Sequence, residues 1–214
     1  METVENGKVD LKAVYPARLK GMNGSYELTG LALGAGFTPM QILEEALFPA
    51  MKKVGKDFSE KKIFVPQMLM AAKAMGASMV QLKPYLLSGD IRPKGTVIMA
   101  TVKGDLHDIG KNLVSIMIEG GGWKVIDLGV DVSSERIIKA IEENPGSLVG
   151  LSTLLTATME NMKRSVIQIK ERYPETKILI GGAPVHDRFC KITGADFYSP
   201  DPWRAVRFLS EIAS

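Results

Sequence analysis

Cysteine and histidine are the scarcest chemistry-bearing residues in this chain: one cysteine, Cys190, and two histidines, His107 and His186, among 214 residues. A single cysteine excludes an internal disulfide and gives no support to a thiolate metal cluster. With so few soft ligands, a conventional zinc site would have to recruit carboxylates. No apolar run approaches the roughly 18 residues that span a bilayer. The opening residues Met1–Asn6 lack the basic-then-apolar pattern of a secretory leader, so a cytoplasmic, membrane-free location is expected. Aromatic residues make up 7 % of the chain, and 27 Lys+Arg nearly balance 24 Asp+Glu. Neither a basic block nor an aromatic stacking array is present, which argues against nucleic acid as a partner. What the chain does have is apolar content: 45 %, enough for one large packed domain or two modest ones.

Hydrophobic periodicity divides the chain into two unlike parts. From Thr38 to about Leu87 it is helical. Thr38 reads as an N-cap with Pro39 at the first helical position, and Ile42, Leu43, Ala46, Leu47, Ala50, Met51 and Val54 recur at helical spacing. A second helix starts at Pro66 and carries Leu69, Ala72, Met75, Met79, Val80 and Leu82. Residues 9–35 are interrupted by Pro16, Gly21 and Gly24, with a short helix expected over Tyr26–Leu33. Beyond a polar Pro- and Gly-containing segment, short apolar runs alternate with helical patterns. Strands are expected at Thr96–Ala100, Lys124–Leu128, Leu148–Ser152, Lys177–Ile180 and Ala195–Tyr198, with helices near 109–120, 134–143, 158–172 and 202–212. The expected organisation is a helical bundle over 1–88, a linker over 89–95, and an α/β domain over 96–214. The last would be a Rossmann-like, flavodoxin-like five-stranded parallel sheet.

Three loops at the carboxyl edge of that sheet carry the chemistry. The first, Gly104-Asp105-Leu106-His107-Asp108-Ile109-Gly110, follows the first strand. There a carboxylate can take the proton of one imidazole nitrogen and leave the other free to bind a metal. Its bland alternative is a surface histidine beside a helix-capping aspartate. The second, Ser152-Thr153-Leu154-Leu155-Thr156-Ala157-Thr158, places four hydroxyls in seven residues; Thr156 or Thr158 could cap the next helix, but capping does not account for all four. The third is Gly181-Gly182-Ala183-Pro184, where missing side chains let a sizeable group lie against the strand end. His186, beside Asp187 and Arg188, reads as solvent-facing.

In their order and spacing these three motifs resemble the signature of cobalamin-binding domains that hold the corrinoid with its benzimidazole base displaced. The helical half resembles the cap of corrinoid proteins in methyltransferase systems: Phe58, then Phe64-Val65-Pro66-Gln67, then an Ala- and Met-rich helix. The overall likeness is to the corrinoid proteins of methanol, methylamine and aryl methyl ether O-demethylase systems, and to the cobalamin module of methionine synthase. That resemblance implies His107 as the lower cobalt ligand of cobalamin, carried as methylcobalamin and cob(I)alamin. It implies that Asp105 and Thr158 tune the ligand through a proton relay, and that Ser152 donates to the displaced base. Gly110, Gly181 and Gly182 would make room for the nucleotide tail. Gly104, Asp108, Ile109, Leu154 and Thr156 would fall in the same cofactor-binding set, while Phe58, Val65 and Met68 would cover the methyl-bearing face. The bland reading of those three is ordinary bundle core.

The implied role is a methyl carrier, non-catalytic alone. Its partners would be a substrate-specific methyltransferase, a second methyltransferase serving tetrahydrofolate or a thiol, and a reductive activator of the corrinoid. An adenosylcobalamin mutase or isomerase subunit shares the first loop but lacks the helical cap. A cobalamin-based sensor would need a DNA-binding element that the N-terminal segment has no room for, and a cofactor-free flavodoxin-like signalling domain leaves the hydroxyl and glycine loops unexplained.

Overall fold

A computed structural model of the chain describes residues 23–87 and 93–212. The described residues form two compact units, one comprising 23–87 and Gly120–Gly122, the other Pro93–Glu119 and Trp123 onward. The interrupted segment before Asn23 and most of the expected linker lie outside the described residues.

In the helical unit, α1 spans Asn23–Gly34 and so extends the expected short helix at its N-terminal side by three residues. It packs on α4, Val65–Leu87: the Ser25 hydroxyl donates to the Ala74 carbonyl at 2.8 Å and lies 2.6 Å from the Ser78 hydroxyl. Thr38 caps as the sequence predicts, in a reciprocal box. Its hydroxyl accepts from the Gln41 amide, and its own amide donates to the Gln41 side chain. The helix that follows is not uniform. Pro39–Gln41 is α2, Ile42–Leu47 is a π-helical stretch, and Phe48–Ser59 is α3. Pro49 has no amide proton to give four residues back, and just before it the Phe48 amide reaches five residues back to Leu43. Ile42, Leu43, Ala46 and Leu47 are buried in either register, so periodicity alone reads through the interruption.

The second unit is an all-parallel sheet of β1 (Thr96–Thr101), β2 (Lys124–Asp127), β3 (Leu148–Ser152), β4 (Ile178–Gly181) and β5 (Phe197–Ser199), in spatial order β2-β1-β3-β4-β5. The helices are α5 (Ile109–Gly120), α6 (Ser134–Glu143), α7 (Met159–Arg172), α8 (Asp187–Thr193) and α9 (Pro202–Ile212). Its core joins Ile98, Val149 and Ile178 of the central strands to Ile137 of α6 and Met162 and Val166 of α7. Strands covered on both faces read as continuous apolar runs, which is why they were visible in the sequence. Strand order reverses between β1 and β3, and the space beyond the carboxyl ends at such a reversal is where open α/β sheets take their ligands.

The one helix not expected is α8. It has seven residues and is capped by an imidazole: His186 Nδ1 accepts from the Phe189 amide at 3.2 Å. His186 is solvent-exposed, as expected, but it also starts a helix.

Asp196 joins β4 to β5. It accepts from the Ile178 amide at 2.8 Å, from Lys170 Nζ at 2.7 Å and from Lys177 Nζ at 3.2 Å. Burial by itself raises its pKa, but these donors outweigh it and hold the carboxyl below its ordinary value. The stabilisation is therefore full above the unfolded-state pKa of about 3.9 and fades as pH falls through the lower folded-state value. Denaturant unfolding is expected to show Asp196→Asn less stable than wild type by about 1–3 kcal/mol at pH 7, with the gap closing as pH falls below the usual carboxylate range. A gap independent of pH would refute this account.

Candidate functional site

Two loops meet at the strand-order reversal: 102–108 after β1 and 153–158 after β3. Their meeting point is Asp105, which is fully buried. Its Oδ1 accepts from the His107 amide at 3.0 Å and faces His107 Nδ1 at 2.8 Å. Its Oδ2 accepts from the Leu154 amide at 2.6 Å and the Leu155 amide at 3.3 Å, and from the Thr153 and Thr158 hydroxyls at 2.9 and 3.1 Å. Burial pushes the carboxyl pKa up, but donation from the His107 and Leu154 amides, the imidazole and Thr153 overcomes this. The group is held well below the usual carboxylate range. An ionised carboxylate only accepts, so the imidazole proton sits on Nδ1 and Nε2 carries the free lone pair. The His107 side chain is 52 % exposed, and Nε2 has no partner among the described residues. This is an imidazole fixed in the tautomer a metal requires.

The sequence reading did not name several residues that hold this loop. Buried Thr101 donates its hydroxyl to the His107 carbonyl at 2.9 Å. Asp131, on the loop after β2, sits in the left-handed region at φ 54°; its amide donates to the Asp105 carbonyl at 3.0 Å, while its Oδ1 accepts from the Gly104 amide at 2.8 Å. Lys111 is buried on α5. Its ammonium pairs with Asp127, whose other oxygen accepts from the Gly129 amide, and donates to Asn112 Oδ1 at 2.8 Å. Asn112 in turn donates to Asp108 at 3.1 Å. A signal for Lys111 was available: it lies four residues before Ser115 and seven before Ile118, both buried, so a charge occupies the inner face of an amphipathic helix.

The predicted residues divide clearly. Thr158 precedes α7 but makes no capping bond with its side chain; the hydroxyl goes to Asp105 and to the Leu155 carbonyl instead. Ser152 is half-buried and Thr156 exposed, and neither hydroxyl has a partner among the described residues. Leu106 and Ile109 are each 71 % exposed, and Leu154 and Leu155 are exposed too, so apolar surface flanks the imidazole on both loops. A methyl group added at Gly110 would meet nothing within 4 Å. At Gly181 it would come 3.1 Å from the Ser199 carbonyl, and at Gly182, where φ is +125°, it would come 1.7 Å from the Thr153 carbonyl. Gly182 thus has a tight packing reason of its own beyond any room for a ligand. In the helical unit Phe58 is half-buried, Val65 is exposed and Met68 is buried.

No group of three or more His, Cys, Asp or Glu side chains that could hold a metal occurs among the described residues. The free Nε2, the flanking apolar side chains, the open space at Gly110 and the unpartnered Ser152 hydroxyl fit a large, mostly apolar metal complex with a polar tail. The class so defined is a doubly wound domain that presents one carboxylate-oriented imidazole at its strand-order reversal, a site whose lining fits a metallo-cofactor.

Comparison with known proteins agrees. One B12 binding domain family matches residues 95–206, and a second B12 binding domain family matches residues 24–83. The chain belongs to the B12-binding corrinoid proteins, and cobalamin is its cofactor. It is 35 % identical to trimethylamine corrinoid protein 1 of Methanosarcina acetivorans over 80 % of this chain and 82 % of that one. A cobalamin-binding protein of Desulfitobacterium hafniense has a similar structure, with TM-score 0.79 and 28 % identity over 95 % of this chain and 98 % of that one. A chain of the methanol:cobalamin methyltransferase complex of Methanosarcina barkeri gives TM-score 0.83 and 27 % identity, over 95 % and 79 % of the two chains. No helix among the described residues is long and apolar enough to cross a membrane.

Proposed function

We infer that this chain is the methyl-carrying subunit of a corrinoid-dependent methyltransferase system, with His107 as the lower ligand of the cobalt. The observation that carries the reading is the pairing of a buried Asp105 carboxylate, held by backbone amides and a threonine hydroxyl, with the Nδ1–H of a half-exposed imidazole. Cobalamin supplies the cobalt centre that takes up a methyl group from one partner and gives it to another. The chain's own residues do the holding. Asp105 fixes the tautomer and direction of His107; Leu106, Ile109, Leu154 and Leu155 offer apolar surface beside it; Ser152 and Thr156 have hydroxyls free to bond polar parts of the cofactor.

The likeness to a trimethylamine corrinoid protein and to part of a methanol:cobalamin methyltransferase complex supports methyl transfer over mutase chemistry. It also supports a substrate-specific methyltransferase as a partner. A second methyltransferase serving tetrahydrofolate or a thiol, and a reductive activator, complete the proposed cycle.

Electron paramagnetic resonance of the full chain loaded with cob(II)alamin tests the ligand assignment. Wild-type protein is expected to show nitrogen splitting that changes when its histidines are labelled with nitrogen-15, and the spectrum of His107→Ala is expected to stop responding to that label. An unchanged spectrum in His107→Ala would remove His107 from the cobalt. Methyl transfer from loaded protein to a cognate methyltransferase then tests the carrier role.

A further inference from the structure

The family resemblance implies Thr158 as the hydroxyl partner of Asp105. The distances favour its neighbour. Thr153 is 1 % exposed, and its hydroxyl lies 2.9 Å from Asp105 Oδ2 but 3.5 Å from the Leu155 carbonyl, so its proton has one good acceptor among these two. Thr158 has two near-equidistant acceptors, the Leu155 carbonyl at 3.0 Å and Asp105 Oδ2 at 3.1 Å. The two hydroxyl oxygens are 2.5 Å apart, too close for both protons to point elsewhere, so one hydroxyl donates to the other. Two protons thus serve three acceptors: Oδ2, the Leu155 carbonyl, and whichever hydroxyl receives. The charged acceptor makes the stronger bond. The arrangement that satisfies it over the shortest path has Thr158 donating to Thr153 and Thr153 donating to Asp105.

Backbone packing fixes Thr153 in this position independently of the hydroxyls. Its amide donates to the Gly181 carbonyl at 3.2 Å, and its carbonyl sits where a side chain on Gly182 would be. The third loop of the signature therefore bears on the first through Thr153.

We propose that Thr153 is a positioning residue for His107, acting as the principal hydroxyl donor to the Asp105 carboxylate, with Thr158 supporting it. The inference rests on His107 as the cobalt ligand. Removing a partner that orients a metal-bound histidine through a carboxylate weakens metal binding by about 10- to 100-fold.

The test compares Thr153→Val, Thr153→Ala, Thr153→Ser and Thr158→Val with wild type and His107→Ala, all as full chains titrated with cobalamin. Affinity and the nitrogen splitting of the cob(II)alamin form are both read, and the thermal midpoint of each cofactor-free protein is recorded. Valine keeps the shape and alanine does not, so a change common to both belongs to the hydroxyl. Both are expected to weaken affinity about tenfold and to reduce or lose the splitting, while serine restores them. Thr158→Val is expected to do less. If His107→Ala alters the spectrum but the Thr153 variants match wild type, or if Thr158→Val has the larger effect, the role of Thr153 is overturned while the ligand assignment stands. A spectrum unmoved by His107→Ala overturns both.

Discussion

Asp105→Ala is expected to lower the thermal midpoint of the cofactor-free protein by about 10 °C, because it leaves the amides of Leu154 and Leu155 facing no acceptor and takes from the buried Thr153 hydroxyl its nearest charged one. Breaking a buried charged network from one side costs about 3–5 kcal/mol, and a chain of this size loses roughly 2–4 °C per kcal/mol. Asp105→Asn should fall between, since one carboxamide oxygen still accepts while its NH2 group meets donors. The sign with pH follows from the depressed folded-state pKa. The contribution is complete above the unfolded value of about 3.9 and is lost only as pH falls through the lower folded value. Circular dichroism melts of both variants without cofactor check this, and a loss under about 1 kcal/mol would mean that the network does not stabilise the fold.

The second large effect belongs to Gly182. Alanine there places a carbon 1.7 Å from the Thr153 carbonyl at a φ of +125°, a contact no rotamer relieves because both parties are backbone-fixed. Gly182→Ala is expected to lose more than about 3 kcal/mol or to accumulate as insoluble protein, and any folded fraction should bind cobalamin poorly because Thr153 has moved. Gly110→Ala is the informative contrast. Nothing lies within 4 Å of the added carbon, and the position is in α5, so the cofactor-free protein should be as stable or gain up to about 1 kcal/mol. If Gly110→Ala still weakens cobalamin binding, the space it fills belongs to the ligand. Equal melting temperatures for Gly182→Ala and wild type would mean that the two loops separate without cost.

Legibility in the sequence followed burial and periodicity. The central strands were visible because apolar runs such as Val97–Ala100 and Leu148–Leu151 are buried, and Thr38-Pro39 announced its helix by side-chain chemistry. The π-helical turn at Ile42–Leu47 was hidden because the same residues are buried with or without it. Helix α8 was hidden by its shortness and by a histidine cap, which lies outside the usual Ser, Thr, Asp and Asn set. Asp105 and His107 were legible as a pair two residues apart. Thr153 and Asp131 were not, since their parts in the site come from contacts across the sheet: Thr153 meets Asp105 from 48 residues away and Asp131 meets Gly104 from 27. Gly182 was recognised as a position needing no side chain, but the Thr153 carbonyl that makes it so lies on a different strand's loop.

The dispersal of the Asp105 donors along the chain also bears on the order of events in folding. His107 and its carboxylate are local, but the hydroxyls and amides that hold the carboxylate arrive only when β3 has docked on β1. The Gly182 backbone that confines Thr153 arrives only with β4. Closing such long loops is among the slower steps in assembling a parallel sheet. A nascent chain therefore carries the histidine long before it carries a site, and a chain released before β4 is made offers a loose imidazole rather than a fixed one. The oriented imidazole in this architecture is a property of the assembled β1, β3 and β4, not of the loop that carries it.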